Sequence, residues 1–187
     1  MRNTPLLHKK AIDFWETTVS NSKHYLEYGM GGSTIRASEL CQGSVTTVET
    51  NPKFYDKMLK HLIDANVDVY CMDWECGSLG YPKKELSDKE IRDYAFIPFE
   101  EGMKYDSVLV DGRFRMACLM AVFMKSGADI IMLDDSYRRA YKPLLEIMPP
   151  TRRLGNMAIW ERQGKRDRIL PIKASILWCD EFVRERK

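Results

Sequence analysis

Acids and glycines are the residues here whose types and spacing suggest chemistry. The run Gly29-Met30-Gly31-Gly32-Ser33-Thr34 follows an apolar stretch and ends in two residues able to cap a helix. Glycines let the backbone turn sharply and approach a ligand, and the N–H groups of a helix start suit a polar or anionic group. Glu49 closes the β-branched run Val45-Thr46-Thr47-Val48. A carboxylate there, beyond a glycine turn, can accept two hydrogen bonds from the vicinal hydroxyls of a ribose. The plainer reading is a surface acid stabilised by a helix dipole. Asp73 can accept from an adenine amino group beside the flat face of Trp74, or be an ordinary loop acid.

Asp111, Asp134 and Asp135 follow two further apolar runs, 105–110 and 128–133. At neighbouring strand ends such carboxylates would repel and raise each other's pKa. A hard divalent cation such as Mg²⁺ relieves that with oxygen ligands. Arg113 and Arg115 offer a second solution, ion pairs with no metal. The same arginines can instead grip a carboxylate or phosphate on a substrate. His8, His24 and His61 have no triad or metal spacing, and His24 and His61 read as structural.

These groups need elements to hold them. Ala11, Ile12, Trp15 and Val19 recur at helical spacing over 8–20, and a short helix is expected over 35–40. Residues 45–49 and 67–72 read as strands, with a helix between them opened by Asn51 as N-cap and Pro52 at its first position. Residues 74–101 read as an irregular insertion with a short helix near 87–94, placed to cover the substrate side of a pocket. Strand, helix and strand follow over 105–133, then a helix from Pro143 to about Met148, a late strand at 157–161, and a helical tail at about 171–187. Strands alternating with helices predict one α/β domain over 1–187, a Rossmann-like, doubly wound, mostly parallel sheet with helices on both faces. Ligands then bind outside the carboxyl ends of the strands, where the glycines and acids fall.

The net charge of +2 argues neither for nor against a nucleic-acid partner, since it gives no large excess to attract phosphates non-specifically. No apolar run is long enough to span a membrane. The five cysteines are odd in number and lack CxxC spacing, as expected of reduced thiols in a cytoplasmic protein. Nothing in the composition decides for or against a homo-oligomer.

The run EYGMGGST, the segment VTTVE and the acid-ended strands resemble the class I S-adenosylmethionine-dependent methyltransferases. EYGMGGST with VLVDGRFRMAC and MLDDSYRR resembles, more narrowly, a group of small bacterial methyltransferase-like proteins of unestablished function. The resemblance covers about residues 23–160. It implies S-adenosylmethionine as cofactor, with Glu27, Gly29, Gly31, Gly32 and Ser33 around its methionine part. It implies Glu49 on the ribose, and Asp73 with Trp74 at the adenine. NAD is disfavoured, because its fingerprint wants a small residue where Thr34 stands. The acids are similar to those of metal-dependent O-methyltransferases of the catechol type. That implies Mg²⁺ on Asp111, Asp134 and Asp135, with Asp111 catalytic. The chain departs from that pattern, since no lysine soon follows Asp111. The expected activity is O-methylation of a small-molecule or sugar-like substrate. The alternative is a catalytically inactive binding module that keeps the adenosyl pocket. No Asn-Pro-Pro-Tyr-type motif is present, which argues against methylation of base amino groups.

Overall fold

The computed structural model describes residues 4–162 and Ala174. The expected helical tail lies outside the described residues. The β-branched and apolar runs form a seven-stranded sheet: β1 (His24–Tyr28), β2 (Ser44–Glu49), β3 (Val67–Cys71), β4 (Ser107–Val110), β5 (Ile130–Leu133), β6 (Arg152–Leu154) and β7 (Met157–Glu161). Their order is β3-β2-β1-β4-β5-β7-β6. β1 to β5 run parallel, and β7 lies antiparallel between β5 and β6. Strand order reverses between β1 and β4, so the ligand crevice of such a sheet opens where those two strands end.

The helices are α1 (Lys9–Ser20), α2 (Gly32–Leu40), α3 (Pro52–Leu59), α4 (Asp88–Phe96), α5 (Arg115–Lys125) and α6 (Lys142–Ile147). Period-two alternation along the strands divides the core. Leu26, Tyr28, Val108, Val110, Ile131 and Leu133 face α4, α5 and α6. Tyr25, Leu109 and Met132 face α1. Met30 and Ile35 pack with Met58 of α3. Asn51 caps α3, its Oδ1 accepting from the Lys53 N–H at 3.1 Å, with Pro52 first in the helix.

Three expectations change. The stretch 74–101 is the crossover from β3 to β4, not an insertion. It must pass β2 and β1, and it does so through α4, which starts with a Ser87–Glu90 capping box and buries Ile91, Tyr94 and Ala95. Helix α2 starts at Gly32, three residues before the expected Ile35. The hairpin strand β6 was not expected, because Arg152 and Arg153 break any apolar pattern there. Its signal was Gly155-Asn156, where Gly155 turns with φ +60°.

Candidate functional site

β1 and β4 end back to back on glycine. Gly29 has φ +95°, and a Cβ built on it would lie 2.8 Å from the Gly112 Cα. A Cβ on Gly112 would meet the Tyr94 hydroxyl at 2.7 Å and the Gly29 N at 2.9 Å. Only glycines permit this closure. Gly31 differs. Its backbone is extended, and a Cβ there would meet nothing nearer than Ser33 Oγ at 3.9 Å. Open space therefore remains beside the start of α2, a cradle that any side chain would begin to fill. Gly32 opens the helix, and the Thr34 hydroxyl accepts the Gly31 N–H at 2.9 Å. Thr34 is thus the cap, while Ser33 turns inward.

Glu27 lies beneath this turn and is fully buried. Ser33 Oγ donates to its Oε1, and the Tyr25 hydroxyl donates to Oε2 at 3.3 Å. Trp15 Nε1 of α1 donates to that tyrosine at 3.0 Å. Burial lifts the Glu27 carboxyl to about 8, and the Asp111 charge adds to the lift, against hydrogen bonds from Ser33, Tyr25 and Thr34. Glu27 braces the glycine turn from below, and it does not reach the cradle surface. The expected direct contact with the cofactor finds no exposed Glu27 surface in this structure.

Glu49 stands at the end of β2. Its Oε1 accepts from the N–H groups of Thr50 and Asn51, both at 2.8 Å, and Oε2 accepts from Met30 N–H at 3.1 Å. A carboxylate has about four acceptor sites, so Oε2 keeps room for a further donor. Glu49 thereby ties the glycine turn to the start of α3, which is more than a surface acid does. Asp73 is exposed just past β3, and Trp74 is buried in an aromatic group with Tyr94 and Phe114, at centroid distances of 5.5 and 6.1 Å. The donor set fits an adenosyl cofactor: an open cradle at Gly31, a helix start, an acid at β2 and aromatic walls.

At the ends of β4 and β5 the acids meet a guanidinium. Arg115, only 3% exposed, places Nη2 2.6 Å from Asp111 Oδ1 and Nη1 3.4 Å from Asp135 Oδ2. It also donates to the backbone carbonyls of Gly112, Asp134 and Asp111. Arg138 reaches Asp135 at 2.5 Å. The expected Mg²⁺ site on Asp111, Asp134 and Asp135 is not supported, because arginine supplies the charge that a cation would. Among the described residues no cluster of three or more His, Cys, Asp or Glu is arranged to hold a metal ion. The two loop arginines also divide: Arg113 lies over the Tyr81 ring, 4.4 Å from its centroid, and pairs with none of these acids. Burial raises Asp111 to about 6, with Arg115 opposing and Asp134 and Asp135 adding to the rise. Asp134 is also raised, by burial first, and its Oδ1 has no hydrogen-bond partner among the described residues.

Sequence reasoning missed Tyr94. Its hydroxyl is buried beside the Arg113 backbone N–H and would lie 2.7 Å from a Cβ on Gly112, where β1 and β4 end. Nothing local marked it, since it arrives from the crossover. Arg138 was also missed, although three residues after Asp135 is a spacing that pairs charges in a turn.

The fold is that of the class I methyltransferases. The chain is similar to a methyltransferase-like protein from Silicibacter pomeroyi, with 25% identity and a TM-score of 0.74, covering 92% of this chain and 97% of that one. A methyltransferase from Podospora anserina, solved with S-adenosylhomocysteine bound, is 14% identical with a TM-score of 0.46, covering 90% of this chain and 65% of that one. This second likeness is distant and carries no weight for activity. No family model and no curated protein matches the chain. Among the described residues no helix is long and apolar enough to cross a membrane.

Proposed function

We propose that this protein is an S-adenosylmethionine-dependent methyltransferase acting on a hydroxyl of a small molecule. The observation that carries the reading is the β1–β4 crevice. Two glycines close the sheet there, Gly31 leaves a cradle open, and the Glu49 carboxylate stands beside it. The resemblance to the Silicibacter pomeroyi protein supports it.

When bound, the cofactor supplies a methyl group on a cationic sulfur that leaves as a neutral thioether. Glu49 Oε2 would take a ribose hydroxyl, and the first turn of α2 would face the carboxylate of the methionine part. Trp74 and Phe114 supply apolar walls. Asp111 is the group in this chain suited to receive the acceptor's proton. With a pKa of about 6 it is ionised at neutral pH yet basic enough to hold a proton. Arg115 holds its carboxylate through Oδ1 and so fixes its orientation. The protein is expected to work in the cytoplasm without a nucleic-acid partner.

One observation favours the alternative, a binding module without transfer. Glu49 already accepts three backbone N–H groups, so its engagement does not require a cofactor. Calorimetry with S-adenosylmethionine and S-adenosylhomocysteine separates the cases. Saturable binding of both, abolished by Gly31→Val in a folded protein, supports the pocket. Unchanged binding in Gly31→Val would remove its basis. Methyl release in the presence of an acceptor, lost in Asp111→Asn, distinguishes the enzyme from the module.

A further inference from the structure

We propose that Arg113 grips an anionic oxygen group, carboxylate or phosphate, on the methyl acceptor. The inference deepens the methyltransferase reading and rests on it for the term acceptor. The anion site itself stands on the following geometry.

Three arginines gather at the ends of β4 and β5, and two are committed. Arg115 is paired with Asp111 and Asp135, and Arg138 with Asp135. The Arg113 guanidinium has no ion pair among the described residues and is held instead by the Tyr81 ring, at 4.4 Å. Stacking fixes the plane of a guanidinium while leaving its N–H edge unspent, and that edge matches the two oxygens of a carboxylate or phosphate. Arg113 is half-buried, so its charge acts in a medium less polarisable than water while remaining reachable.

Backbone geometry separates the two arginines. Phe114, between them, is left-handed with φ +49°. That conformation is costly for a non-glycine residue and gathers at functional sites. It sends Arg115 into the interior and leaves Arg113 on the crevice side, facing a ring supplied by the β3–β4 crossover. An acceptor tethered at Arg113 by its anion sits two residues from Asp111, the proposed proton acceptor.

The test uses the full chain, with and without saturating S-adenosylhomocysteine. It is titrated separately with inorganic phosphate and with benzoate, ionic strength being held constant with sodium chloride. The expected result is a saturable calorimetric signal and a rise in melting temperature for at least one anion. Arg113→Gln should weaken that binding at least ~10-fold, Arg113→Lys should recover part of it, and Tyr81→Leu should weaken it less. Phosphate alone binding identifies a phosphorylated acceptor; benzoate alone identifies a carboxylate. Binding equal in wild type and Arg113→Gln overturns the proposal, as does the lack of saturable binding of both anions to the wild type. If Arg113→Gln does not fold, Tyr81→Leu decides, since unchanged affinity there removes the stacked grip. Failure of S-adenosylhomocysteine to bind, with Arg113-dependent anion binding intact, would sink the methyltransferase reading and leave the anion site.

Discussion

The two ends of the crevice solve the same problem differently. Both bury carboxylates beside a sharp backbone turn. At the glycine end, Glu27 is satisfied by hydroxyls and Glu49 by backbone N–H groups, with no cation in contact among the described residues. At the acid end, Asp111 and Asp135 are satisfied by guanidinium groups. Neutral donors leave the Glu27 carboxyl far above its ordinary range, whereas Arg115 restrains Asp111 to about 6. Both carboxyls therefore titrate near neutral pH, but Glu27 is sealed from solvent beneath a fixed cradle, whereas the Asp111 side chain keeps 27% of its surface exposed.

The largest expected effect lies at the acid end. Arg115→Ala leaves Asp111 and Asp135 short of their cation and uncaps three carbonyls. It should lower unfolding free energy by about 3–5 kcal/mol, measured by urea denaturation. Arg113→Ala, which breaks no ion pair, should cost less than ~1 kcal/mol. Equal losses would erase the division between the two arginines.

The next effect is at the glycine end. Glu27 has a folded pKa of about 8 against an ordinary 4.5. A raised acid binds its proton more tightly when folded. Its stabilising contribution is therefore complete below pH 4.5 and is lost as pH rises from there through 8. At ~1.4 kcal/mol per unit the whole change is at most a few kcal/mol. Glu27→Gln, a mimic of the protonated acid, should flatten the stability profile in that window. A wild-type profile that rises from pH 5 to 8, with the rise absent in Glu27→Gln, would show that hydroxyls alone hold Glu27 ionised.

The glycine end was legible in the sequence because its parts are local. Glu27, Gly29, Gly31 and Ser33 fall within one strand and one turn, and β-branched Val45 to Val48 announced the strand that delivers Glu49. The acid end was only half legible. The strand ends were visible, but whether Arg113 or Arg115 would bury depended on the handedness of Phe114, which nothing in DGRFRM specifies. Tyr94 and Tyr81 were invisible as site residues, since their positions depend on how the crossover packs rather than on their neighbours. Glu49 was read toward a ligand, while its backbone N–H partners depended on the unseen path of the chain from Thr50 to Asn51.

A smaller effect tests Glu49. Removing its carboxylate should weaken S-adenosylhomocysteine binding by about 1–3 kcal/mol in calorimetry. Part of that loss comes through the Met30 N–H that Glu49 holds. Glu49→Gln should lose less than Glu49→Ala, because the amide oxygen can still accept one of the N–H bonds. A glutamine variant as weak as the alanine would mean that charge, not support of the turn, is what the cofactor reads.

The smallest effect concerns where strain is lodged. The glycine end puts its left-handed turn on Gly29, whereas the acid end uses Phe114 and Asp135, with φ +49° and +52°. Both side chains are needed there: the Phe114 ring packs on Trp74 and Tyr94, and Asp135 pairs with Arg115 and Arg138. Leu79 is also left-handed, with φ +56°, but its side chain is 82% exposed. It stands before Gly80, whose carbonyl accepts the Thr50 hydroxyl at 2.9 Å and so anchors the crossover beside Glu49. A left-handed leucine costs roughly 1–2 kcal/mol, and glycine's extra freedom in the unfolded chain offsets about 0.5–1 kcal/mol of the relief. Leu79→Gly should therefore stabilise the fold slightly, by about 0.5 kcal/mol. Phe114→Gly should destabilise it, because the lost ring packing exceeds the strain relieved. Thermal denaturation of the two variants reads the difference directly. A destabilised Leu79→Gly would show that the exposed leucine has a packing role, and strain at the crevice rim would then be matched by contacts at every position.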